Sequence, residues 1–179
     1  SRGTVPARLQ FLLMAVERYY DTDPAHEWDR LDRHRMEFAV SLRAMREYLP
    51  PPPAKVLDVG GGPGRYAIAL SQLGYGVTLF DLSRANLDFA RNKAAELGSA
   101  LDSYEHGNAL DLSRFDKHSF DAVLLMGPLY HLLSADERMT SAREAHRVLR
   151  HAGPVFASVI TRFAALRDSA ARYPEWAWE

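Results

Sequence analysis

Val56-Leu57-Asp58-Val59-Gly60-Gly61-Gly62-Pro63-Gly64-Arg65-Tyr66 decides how this chain is read. An apolar run ends in an acid, glycine follows at every second position from Gly60 to Gly64, and a helical pattern begins. That order describes a buried strand, a tight turn and a helix start, because glycine allows a sharp turn and close approach without a Cβ. The pattern then repeats outward. Lys55–Val59 reads as strand one, and Gly64–Leu73 as a helix closed by Gly74. Gly76–Phe80 is strand two, ending at Asp81, with Ser83 capping a helix through Leu97 that Gly98 closes. Ser103–His106 is a weak strand three and Phe120–Met126 a strong strand four. Ser134 or Asp136 opens a helix to Arg150, and Val155–Thr161 is strand five. Strands alternating with helices of this length predict an α/β doubly wound parallel sheet. Right-handed crossovers give it the order 3-2-1-4-5, with a ligand crevice above the ends of strands one and four.

Ahead of the sheet lie two helical patterns. Pro6–Tyr20 places Leu9, Leu12, Leu13 and Val16 on one face, and Trp28–Leu49 repeats the period through Leu31, Phe38, Leu42, Met45 and Leu49. Asp21-Thr22-Asp23-Pro24 between them is a turn and cap signal. The prolines at 50–53 stop the second helix and stiffen the link. Residues 1–49 are therefore read as a helical lid, 50–54 as a proline linker and 55–179 as the sheet domain, all one structural unit. Of 179 residues 47% are hydrophobic, enough for a core, and the net charge of −1 gives no field toward nucleic acid or an anionic membrane. Arg30, Arg33 and Arg35 read as a solvated helix face, and the helix carrying Trp28, His34 and Arg35 as an amphipathic cover. With no cysteine, disulfides, thiolate zinc sites and cysteine nucleophiles are excluded, which fits a cytoplasmic protein. His26, His34, His106, His118, His146 and His151 show no metal-ligand spacing, so no metal is expected. No apolar run approaches the roughly 20 residues of a membrane span.

Four segments fall where the predicted strands end. Gly60, Gly62 and Gly64 stand in D-x-G-x-G-x-G spacing after Asp58, with Gly61 between them. Asp81 follows, placing a carboxylate that can accept from two adjacent hydroxyls or cap the next helix. Gly107-Asn108-Ala109-Leu110-Asp111-Leu112 follows strand three, and Met126-Gly127-Pro128-Leu129-Tyr130-His131 ends strand four.

Together these segments resemble the class I S-adenosylmethionine-dependent methyltransferases, and the G-P-L-Y-H-L segment resembles bacterial small-molecule members. The resemblance covers about residues 55–161 and implies a Rossmann-like fold, S-adenosylmethionine as cofactor and in-line methyl transfer to a small-molecule acceptor. It implies that Gly60, Gly61, Gly62 and Gly64 line the methionine and ribose, and that Asp58 meets the amino-acid end. Asp81 would hold the ribose hydroxyls and Leu82 the adenine face. Asn108 and Ala109 would meet the adenine edge, while Met126 and Gly127 would lie beside the sulfonium. Tyr20, with Tyr19 and Asp21, is placed either over the cofactor or over the core. Tyr130 and His131 face the acceptor, His131 being either a base for an oxygen or nitrogen nucleophile or a packed loop histidine.

The chain departs from the family at Asn108, where aspartate is common, and at His151-Ala152-Gly153-Pro154, where the family has a proline-glycine-glycine turn. The family's sheet has seven strands, and strands six and seven have no counterpart here. Two expectations stay open: a chain truncated before the closing hairpin, which is favoured, and a homodimer pairing through the open strand-five edge. Two other functions are weighed. An NAD(P)-dependent oxidoreductase wants G-x-G-x-x-G, but the sixth position from Gly60 is Arg65. A non-catalytic S-adenosylmethionine-binding or scaffold domain is the other.

Overall fold

A computed structural model describes residues 21–161 and positions 163, 164, 167, 169 and 170, apart from the side chain of Asp32. The expected helix over Pro6–Tyr20, Tyr20 itself and the segment 174–179 lie outside the described residues. The elements are α1 (Pro24–Arg33), α2 (Arg35–Tyr48), β1 (Lys55–Val59), α3 (Arg65–Gln72), β2 (Gly76–Asp81) and α4 (Arg84–Glu96). They continue with β3 (Ser103–His106), β4 (Ala122–Leu125), α5 (Pro128–His131), α6 (Ala135–Val148) and β5 (Val155–Ala157). The sheet has the expected order β3-β2-β1-β4-β5, and every pairing is parallel.

β1 shows why both faces are covered. Val56 and Leu57 point to opposite sides, and both are fully buried. Val56, Val77, Leu79 and Leu124 join a core with Leu31 and Met45 of the leading helices. Leu57, Val59, Val123 and Leu125 join a second core with Ala145 and Val148 of α6. By the same alternation Asp58 falls on the Val56 face, with no exposure at all.

The helix boundaries follow local chemistry. Asp23 caps α1 by accepting from the His26 N–H, with Pro24 at the first helical position. Ser83 caps α4 by accepting from the Asn86 N–H. Of the two candidates for α6, Ser134 is the cap, in a reciprocal capping box with Glu137.

Four sequence expectations need correction. The helix expected over Trp28–Leu49 starts earlier and breaks at His34 (φ −108°, ψ 51°). On either side of the break, Leu31 of α1 and Met45 of α2 both join the core against the sheet. Strand four is limited to Ala122–Leu125, with Phe120 making only an isolated bridge to Leu149. Strand five is limited to Val155–Ala157, and the Ser158 side chain that follows it donates to the Met126 carbonyl. The segment read as a loop at Pro128–His131 is one helical turn with Pro128 at its start.

Candidate active site

The loops that end β1, β2, β3 and β4 meet at one edge of the sheet and line an open cleft. The glycine turn forms its floor. Gly60 and Gly62 have φ of +65° and +57°, where a side chain is strained. A Cβ on Gly60 would lie 2.6 Å from Pro128 Cγ, and one on Gly127 would lie 2.9 Å from the Gly60 carbonyl oxygen. The two loops on either side of the β1–β4 crossing therefore touch through backbone. Gly61 is closed from below, since a Cβ there would lie 2.5 Å from Asp58 Oδ2.

Asp81 ties the turn to β2. Its Oδ2 accepts from the Gly62 N–H at 2.8 Å, and its Oδ1 accepts from the Ser83 N–H at 2.8 Å and from Asn86 Nδ2 at 3.3 Å. Burial raises its pKa, and these hydrogen bonds oppose the rise. Asp81 is thus no cap for α4, which Ser83 supplies.

Asp58 is the least satisfied group in the cleft. Neither carboxylate oxygen has a hydrogen-bond partner among the described residues. Burial pushes its pKa from 3.8 up to about 7, and the Asp81 charge adds to the rise. The Ala67 N–H in the first turn of α3 opposes the shift without reaching hydrogen-bond geometry. The Asn86 amide, held by Asp81 through its nitrogen, leaves its Oδ1 buried and without a partner among the described residues. The floor therefore presents unpaired acceptors.

The structure brings most of the expected residues to this cleft: Asp58, Gly60, Gly61, Gly62, Asp81 and Leu82 from the first two loops, and Asn108, Ala109, Met126, Gly127, Tyr130 and His131 from the others. Gly64 does not line it. Its φ of +81° opens α3, and a Cβ there would meet Ala90 Cβ at 3.0 Å, so this glycine serves helix packing. Asn108 Oδ1 already accepts from the Leu110 N–H at 3.0 Å, which leaves it one further lone pair. The Tyr130 and His131 rings pack at 4.7 Å between centroids, tilted by 56°. Burial lowers the His131 pKa, against the opposing charge of Glu27, so its ring is neutral at neutral pH. Burial raises the Tyr130 pKa.

Sequence reading missed the roof. Glu27, Arg30 and Glu37, on helices read as a plain cover, also line the cleft. Arg30 Nε donates to Glu27 at 2.7 Å, and its Nη1 donates to both Glu37 oxygens at 3.1 and 3.2 Å. Burial works against the Arg30 charge, but the two carboxylates outweigh it and raise its pKa. Glu27 and Arg30 stand three apart on one helix, which was legible as a pair; the reach to Glu37 depends on the break at His34. Tyr66 and Asn86 were missed as well. Arg65 also lines the cleft and stacks over Trp28 at 4.5 Å, joining α1 to the glycine turn.

Comparison with known proteins agrees with this geometry. A family model described as a methyltransferase domain matches residues 56–153. A ubiquinone biosynthesis O-methyltransferase of Xanthomonas axonopodis pv. citri is 33% identical over 148 residues, covering 82% of this chain and 58% of that protein. One from Aromatoleum aromaticum is 32% identical over 161 residues, covering 88% of this chain and 63% of the relative. The chain therefore spans roughly three-fifths of the length of these curated relatives. A solved S-adenosylmethionine-dependent methyltransferase of Methanosarcina mazei is 25% identical, with a TM-score of 0.63, over 74% of this chain and 64% of that one. The family model alone takes in more than half of the sequence, from the first residues of β1 to the turn before β5, and the chain belongs to the class I S-adenosylmethionine-dependent methyltransferase family.

Proposed function

We propose that the cleft binds S-adenosylmethionine and that the protein methylates a hydroxyl group of a small-molecule acceptor. The observation that carries this reading is the acceptor-rich floor. Asp58 and Asn86 Oδ1 are buried without hydrogen-bond partners among the described residues, and Asp81 retains unused lone-pair capacity. A ligand with an ammonium, two ribose hydroxyls and an adenine amine supplies the donors they lack. The same floor suits a pyrophosphate badly. The Gly62 N–H is spent on Asp81, the Gly64 N–H on the Gly61 carbonyl, and two buried carboxylates lie beneath. That disfavours a dinucleotide.

Asp58 would face the amino-acid end, Asp81 the ribose, and Leu82, Asn108 and Ala109 the adenine. S-adenosylmethionine supplies an electrophilic methyl group on a sulfonium whose leaving group is a neutral thioether. The chain's part is placement and proton handling. Gly127 and Pro128 hold the β4 loop against Gly60, so the acceptor side cannot drift from the cofactor floor. His131, neutral because it is buried, can take the proton that an acceptor hydroxyl loses. The choice of oxygen follows the relatives named as O-methyltransferases. The shared core of α1, α2 and the sheet supports the helical layer, linker and sheet as one unit. No helix among the described residues is long and apolar enough to cross a membrane, and a cytoplasmic location belongs to the same proposal.

Calorimetric titration with S-adenosylhomocysteine, with NAD in a parallel cell, tests the site. Binding of the former alone is expected. Binding of NAD, or of neither, would reject the cofactor assignment. His131→Ala should leave S-adenosylhomocysteine affinity unchanged and slow methylation of a hydroxyl by about 10²–10⁴-fold.

A further inference from the structure

The cap of α4 reaches across the fold to the residues that lead into α1. Ser83 Oγ donates to Asp21 Oδ1 at 2.5 Å, and the Ala85 N–H donates to the same oxygen at 3.4 Å. Ser83 and Asp21 stand 62 apart in the chain. The hydroxyl proton is thus given to Asp21, while the hydroxyl oxygen accepts from the Asn86 N–H at 3.1 Å. Beside it lies Asp81, whose Oδ1 accepts from the Ser83 N–H at 2.8 Å and from Asn86 Nδ2 at 3.3 Å. Both donors therefore belong to residues that the Ser83 hydroxyl holds together. Ser83 and Asn86 are each 1% exposed, so water does not compete for these bonds. Asp21 is held in turn by α1, where Asp23 caps the helix and Trp28 packs on Phe89 of α4 at 5.9 Å between ring centroids.

We infer that Asp21 is a positioning residue for ribose recognition, acting through Ser83 on Asp81. The inference rests on the assignment of the ribose hydroxyls to Asp81. A serine hydroxyl carries one proton, and a carboxylate is a strong acceptor for it. With that proton on Asp21, the Ser83 hydroxyl makes no claim on Asp81, whose remaining lone pairs stay available to a ligand. Without Asp21 the proton becomes a buried donor in need of an acceptor. The Asp81 carboxylate, already bonded to the Ser83 N–H, is the acceptor at hand, and a bond to it takes a lone pair that a ribose hydroxyl needs. Turning the hydroxyl also loosens the Asn86 N–H, and with it the amide that steadies Asp81 Oδ1. Asp21 itself is exposed and touches no ligand in this arrangement. Its effect appears only in how well Asp81 tells a ribose with hydroxyls from one without.

The test compares S-adenosylhomocysteine with its 2′,3′-dideoxyribose analogue, each titrated by calorimetry into the parent, D21A and D21N. The parent should bind the hydroxylated ligand about tenfold more tightly or better. In D21A that preference should shrink by about three- to tenfold while affinity for the dideoxy analogue holds, which also shows that the cleft is still folded. D21N keeps an oxygen that accepts from Ser83 and should keep the preference. Adding D21A to Ser83→Ala should change the preference no further, because the proton at issue is already gone. A D21A preference equal to the parent's overturns the inference, whether affinity for both ligands is unchanged or falls by one common factor, since Asp21 would then be only structural. A D21N preference as low as that of D21A overturns it, as does a further loss when D21A is added to Ser83→Ala. Failure of the parent to bind S-adenosylhomocysteine, or equal binding of the two ligands by the parent, rejects the reading of the cleft itself, so the two failures are distinct.

Discussion

Replacing Asp58 by asparagine removes a charge the fold holds at a cost. The carboxyl is fully buried, faces Asp81 and has no hydrogen-bond partner among the described residues, which moves its pKa from 3.8 to about 7. Because the folded value lies above the unfolded one, the group's contribution is fully present below about pH 4. It is lost as pH rises through about 7, where the buried carboxyl must ionise. Between pH 5 and pH 8 the loss is about 2.5 kcal/mol, from roughly 1.4 kcal/mol per pH unit while only the unfolded chain is ionised. For a chain of this size that corresponds to a fall in Tm of about 5–10 °C. D58N should lose this fall while keeping the shape of the site. Comparing the pH dependence of Tm for the two proteins cancels every titration that does not involve Asp58. A second readout uses S-adenosylhomocysteine. Its ammonium favours the ionised carboxylate, so affinity should rise from pH 5.5 to pH 8 in the parent and stay flat in D58N. Parallel Tm curves for the two proteins would refute the reasoning, because they would mean that Asp58 finds a partner or solvent.

The other contacts give sharper local tests. Gly61→Ala should cost about 1–3 kcal/mol, because its Cβ meets Asp58 Oδ2 and Leu79 Cδ1 at 2.5 Å. Gly62→Ala has room, with Asn86 Nδ2 at 3.9 Å, and should cost only the backbone strain of φ +57°, about 1 kcal/mol. Urea unfolding that ranks G62A as the less stable of the two contradicts this packing. Asp81→Ala should weaken S-adenosylhomocysteine binding by about 1–3 kcal/mol, through hydrogen bonds to a charged acceptor and release of the Gly62 N–H. Unchanged affinity by calorimetry would take Asp81 out of the site. Arg147 donates to the Phe115 carbonyl at 2.9 Å and the Leu112 carbonyl at 2.6 Å, pinning the segment that follows Asn108 and Ala109. Arg147→Ala should speed amide hydrogen exchange across residues 110–116 and cost about 1–3 kcal/mol; parent-like exchange there would show that the segment holds itself.

What could be read from the sequence and what could not divide along a physical line. The floor of the cleft is built from residues adjacent in the chain: a strand, its terminal acid and the glycines that follow. Strand period and turn chemistry are local, so the positions of Asp58, Gly60 and Asp81 at strand ends are legible from spacing, while their roles come from the family resemblance. The roof is not local. Glu27 and Arg30 pair on one helix, but their place over Tyr130 and His131 depends on the bend at His34, where neither glycine nor an inward proline marks a break. Gly64 answers another demand. It shares the motif's spacing with Gly60 and Gly62, and its missing Cβ makes room for Ala90 on α4. One residue type in one motif therefore answers two demands, and only the packing separates them. Asp58 carries the argument furthest. Its position was legible from the period of β1, but the lack of a hydrogen-bond partner among the described residues was not, since that depends on what β2, α3 and the glycine turn place around it. A buried acid with no hydrogen-bond partner among the described residues is costly to ionise, and a cationic ligand lowers that cost when it binds. The same group that marks the strand's end in the sequence is then the one through which ligand affinity and folding stability answer to pH together.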